Sequence, residues 1–74
     1  MNQDERFLFE SIKKWVVQKA SVTNPYGKYW SASVTLKMDI NGTGPTIEKA
    51  YQSLTELIYT SPYYKTLFTS LQEQ

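Results

Sequence analysis

With 74 residues, no cysteine, no histidine and a formal charge of +1, this chain is one small domain that neither a disulfide nor a Cys/His zinc site supports. A chain this short buries only about 60% of the surface it exposes when unfolded, so self-association is the expected support. The near-neutral charge excludes a strong field toward nucleic acid or anionic lipid, and no apolar run approaches the ~20 residues of a membrane span.

The first predicted element is a helix over residues 3–13. Asn2 and Glu5 have the spacing of a capping box. Leu8, Phe9, Ile12 and Trp15 recur on one face, with Asp4 and Glu5 at the start and Lys13 and Lys14 near the end, as the helix dipole favours.

From Trp15 to Thr23 the β-branched content rises, and Asn24-Pro25-Tyr26-Gly27 follows as a turn. Proline presets φ at the second turn position, and Gly27 can take the left-handed conformation that closes a three-residue hairpin loop. In that register Val22 faces Trp30, Ala20 faces Ala32, Gln18 faces Val34 and Val16 faces Leu36, which makes one face nearly all apolar.

The second strand is the strongest signal. Trp30, Ala32, Val34, Leu36, Met38 and Ile40 alternate with Tyr29, Ser31, Ser33, Thr35, Lys37 and Asp39. Period two over this length predicts one long strand with a buried face and a wet face. On the wet face Trp15 stands beside Lys37, and Thr23 beside Tyr29.

Asn41-Gly42-Thr43-Gly44-Pro45 reads as a loop that ends the strand. Thr46 caps the next helix, where Ile47, Ala50, Tyr51, Leu54, Leu57 and Ile58 share a face. Ser61-Pro62 opens a last helix carrying Tyr64, Leu67, Phe68 and Leu71 on one side. The expected fold class is α+β: an N-terminal helix, an antiparallel β-hairpin and two C-terminal helices packed on one face of the hairpin. Both hairpin edges stay open, which predicts a homodimer.

Chemistry has little to work with. Without His or Cys the commonest general base and the thiol nucleophile are missing, and Asp39, Glu48 and Glu56 read as solvated surface acids. No catalysis, cofactor or metal is expected.

Three features remain as binding candidates. Tyr59, Tyr63 and Tyr64 form a Tyr-rich segment of the kind found in protein-binding surfaces. Trp15, Lys19, Tyr29 and Lys37 put rings and ammonium groups together, a pattern that stacks bases and contacts phosphates. Thr43, Gly44 and Thr46 lie where a glycine loop enters a helix, a place where backbone N–H groups can hold an anion. Against that last reading, Pro45 removes a donor and no Walker-type lysine follows.

The stretch from Val34 to Leu57 resembles the end of the double-stranded-RNA-binding domain, where a strand runs through Gly-x-Gly into a helix opening with Ser or Thr, two lysines and alanine. Gly42, Gly44, Thr46 and Ala50 match that spacing. Ile47 and Glu48 replace the two lysines that grip phosphate, and the pattern leaves room for only two strands. The resemblance therefore implies shape and assigns no RNA-contacting residue. In size, in lacking Cys and His and in its hairpin-plus-helix economy, the chain also resembles small accessory proteins of phages, many of which block a host protein or soak up a nucleotide signal.

The leading expectation is a non-catalytic, self-associating binding protein that occludes a partner protein, as a phage-encoded inhibitor of a host or defence protein would. The alternative is a nucleic-acid or nucleotide binder. No signal peptide is evident in the opening Met-Asn-Gln-Asp-Glu, so a cytoplasmic location is expected.

Overall fold

The computed structural model describes residues 3–72. Helix α1 (Gln3–Lys19) is followed by strands β1 (Ser21–Thr23), β2 (Trp30–Thr35) and β3 (Asp39–Gly44), then helices α2 (Ile47–Thr60) and α3 (Pro62–Gln72). The fold class is the expected α+β arrangement, with an N-terminal helix and two C-terminal helices. Its sheet is antiparallel in the order β1-β2-β3, so it holds three strands where the periodicity showed two. Among the described residues, no helix is long and apolar enough to cross a membrane. Asn2, the expected cap of α1, lies outside the described residues.

Two departures separate this sheet from the expected hairpin. Helix α1 runs on through Trp15, Val16 and Val17, where the rising β-branched content predicts strand. Ile12 and Val16 stand one turn apart and are both fully buried, so packing outweighs the weak β preference of valine. The first strand shrinks to Ser21–Thr23 and pairs Val22 with Ala32 rather than with Trp30. The shift is two residues, so side chains keep their face. The turn itself forms: Gly27 has φ 73° and donates its N–H to the Asn24 carbonyl at 3.4 Å. The strands nevertheless stop short of it, leaving residues 24–29 as a longer loop.

The long second strand folds back at Leu36–Met38. Thr35 faces Asp39, Val34 faces Ile40, Ala32 faces Gly42 and Trp30 faces Gly44. Lys37 takes φ 65° at the tip, and the Leu36 N–H donates to the Met38 carbonyl at 2.9 Å. The Thr35 hydroxyl donates to the Asp39 carboxylate at 3.1 Å across the turn. Met38, expected in the core, sits at this tip and is 41% exposed.

The core lies between the sheet and the helices. Ala32, Val34, Leu36 and Ile40 supply the sheet side, Ile12 and Val16 come from α1, Ala50, Leu54 and Ile58 from α2, and Phe68 from α3. Thr46 caps α2 as expected, its hydroxyl accepting the Lys49 N–H at 3.1 Å. Ser61 does the same for α3, accepting the Tyr64 N–H at 3.3 Å. The buried Thr55 donates to the Tyr51 carbonyl one turn back at 2.8 Å, which leaves its hydroxyl satisfied.

Candidate functional site

The glycine segment is the clearest correction. Gly42 and Gly44 are strand residues of β3, not a loop, and what they need is space. A Cβ on Gly42 would stand 2.7 Å from the Leu54 Cα, and one on Gly44 would stand 2.8 Å from the Lys49 carbonyl carbon and 2.9 Å from the Ala50 nitrogen. Helix α2 thus rides directly on β3, backbone against backbone, and the glycines exist to let it. Thr43 points to the opposite, wet side of the sheet, and Thr46 spends its hydroxyl on the cap. These three residues therefore form no common cradle.

The aromatic and cationic set is also dispersed. Trp15 belongs to α1 and packs edge-on against Phe68, with ring centroids 5.6 Å apart. Lys19 ends that helix, Tyr29 lies in the loop before β2 beside Tyr26, and Lys37 forms the hairpin tip. The wet face of the sheet instead carries Ser21, Thr23, Ser31, Ser33, Thr35, Asp39, Asn41 and Thr43. None of these side chains carries a ring on which a base could stack.

The three tyrosines divide by role. Tyr59 is half-buried, meets the edge of Phe9 with centroids 5.4 Å apart, and carries Lys65 Nζ 4.7 Å from its ring. Tyr64 packs against the core cluster. Tyr63 is 56% exposed and leans on Tyr64, with centroids 5.9 Å apart. Tyr64, held against the core, thereby presents Tyr63 to solvent.

Other apolar groups in water were not singled out by sequence. Phe7 on α1 is 75% exposed and Tyr26 in the loop is 73% exposed. Between α1 and α2 runs a groove of about 590 Å³ lined by Phe9, Lys13, Val17, Glu48, Tyr51, Gln52 and Thr55. The signal for Phe7 was its place off the Leu8–Ile12–Trp15 stripe. The groove had no signal, because it depends on how two helices pair. Among the described residues, no group of three or more Asp or Glu side chains is placed to hold a metal ion.

Compared with protein-family models, curated proteins and solved structures, the chain matches none.

Proposed function

We propose that this chain is a non-catalytic binding protein that acts by occluding a partner protein. The observation that carries the reading is the set of large apolar side chains held in water on a domain with a small core: Phe7, Tyr26 and Tyr63, each more than half exposed. Aromatic side chains are enriched at contact surfaces, where each buries a large area with few rotatable bonds to fix. The anchoring of Tyr63 by Tyr64 supports the same reading, since a pre-ordered ring loses less freedom on binding. Self-association belongs to this proposal through the same apolar groups and the short β1 edge. The proposed setting, a phage product in a host cytoplasm, rests on resemblance alone.

The test is capture from lysate with Phe7→Ser and Tyr63→Ala as paired controls. One stoichiometric protein, weakened about tenfold or more by either change while the melting curve holds, is expected. Capture that is indifferent to both changes would defeat the reading.

One observation favours a second reading, as a nucleic-acid or nucleotide binder. The third strand, whose lack separated this sequence from the double-stranded-RNA-binding domain, is present between β2 and the helix opened by Thr46. Ile47 and Glu48 still stand where that family has lysines. Co-purifying nucleic acid, seen as a raised 260/280 nm absorbance ratio, would favour this reading over the first.

A further inference from the structure

Strand β3 is an edge of the sheet, and its ladder shows which backbone groups are free. The Leu36–Met38 bond marks that pair as hydrogen-bonded. Alternation along an antiparallel ladder then assigns bonded pairs to Val34–Ile40, Ala32–Gly42 and Trp30–Gly44. Ile40, Gly42 and Gly44 therefore turn their N–H and C=O toward β2, while Asp39, Asn41 and Thr43 turn theirs outward. No other element of the described chain pairs with them. The pairing is unbroken from Trp30–Gly44 to Thr35–Asp39, and β3 carries no bulge, proline or lysine to turn a strand away.

The helix above decides what can use this edge. Gly44 lies under Lys49–Ala50 and Gly42 under Leu54, so α2 follows β3 along its length. A second copy pairing β3 to β3 would set the strands about 4.8 Å apart. Two helices, each riding on its own strand, would then be brought well inside the 8–10 Å that helix axes need. A strand carrying no helix meets no such obstacle. Its inward side chains would meet the flank of α2 that faces away from α1. That flank carries Leu57, about 200° around the helix from Thr55 at 3.6 residues per turn and 39% exposed.

Resting on the protein-binding reading above, we propose that β3 captures an extended segment of a partner protein by antiparallel strand addition. Three outward backbone pairs supply the hydrogen bonds. An apolar partner residue beside Ile40 packs on Leu57, and a lysine or arginine faces Asp39, the one charge on the strand.

The test is hydrogen exchange of the full chain with the capped peptide Thr-Val-Thr-Leu-Lys at millimolar concentration. The peptide is expected to slow the amides of Asp39, Asn41 and Thr43 and to leave Ile40, Gly42 and Gly44 unchanged. A peptide ending in Glu should bind about threefold more weakly or worse, through like charge opposite Asp39. Asn41→Pro should abolish the effect and keep the fold, since the lost N–H faces solvent; circular dichroism and melting check that it does. Three results would each overturn the proposal: no protection at those amides, equal binding by Asn41→Pro, or amides already slow in a free protein of dimeric mass. If the peptide fails while the lysate partner still depends on Phe7 and Tyr63, only the strand-addition surface is lost. If that dependence fails too, the protein-binding reading falls with it.

Discussion

Gly42 lies beneath Leu54, with room between strand and helix for a hydrogen and nothing larger. Because both sides of the contact are backbone, neither can rotate aside to accept a methyl group. Gly42→Ala is expected to cost about 2–3 kcal/mol, the upper part of the range for overpacking, measured by urea unfolding. Gly27→Ala is the contrast: its Cβ would meet nothing within 4 Å, but φ 73° disfavours it. A loss of about 1 kcal/mol is expected there.

Phe68 is the largest fully buried side chain and joins α3 to α1 through the Trp15 ring. Phe68→Ala should cost about 3–5 kcal/mol, enough to unfold much of a domain of this size. A red shift of tryptophan fluorescence should accompany the loss. An unchanged melting midpoint would mean that α3 is not part of the cooperative fold.

Thr46 caps α2 through its hydroxyl. Thr46→Ala is expected to lose about 1 kcal/mol and Thr46→Asp to lose little, because aspartate accepts the same N–H. Calorimetry on the pair separates capping from a general effect of mutating this junction.

Lys37 pays for the hairpin tip with a left-handed backbone that suits few side chains. Lys37→Asn should raise stability by up to about 1 kcal/mol, and Lys37→Val should lower it, since a branched Cβ fits this region worst. Opposite shifts in melting temperature are the expected outcome.

Much of the fold was legible because burial writes itself into periodicity. The helical stripe from Leu8 through Trp15, the cap residues Thr46 and Ser61, and the alternation from Trp30 to Leu36 all carry over into the structure. The reversal at Lys37 was not legible. Three residues separate Thr35 from Asp39, so even-numbered residues pair with even-numbered ones, and the alternation passes through the turn without a skip. No glycine, proline or asparagine marks the place. Gly42 and Gly44 misled for a related reason: glycine signals either a flexible loop or a close approach, and only the position of α2 tells which. The Trp15–Lys37 pairing failed once Trp15 joined α1. The exposure of Tyr63 depends on which neighbouring rings anchor in the core, a tertiary fact with no local trace.

The pairing around Lys37 has a consequence for what holds this hairpin in place. A slip of β3 against β2 by one residue would turn β3 inside out, exposing Ile40 and driving Asn41 against the helix. The core, rather than the turn, therefore guards the alignment, and a residue inserted at the tip should be taken up by the loop while Thr35 still faces Asp39.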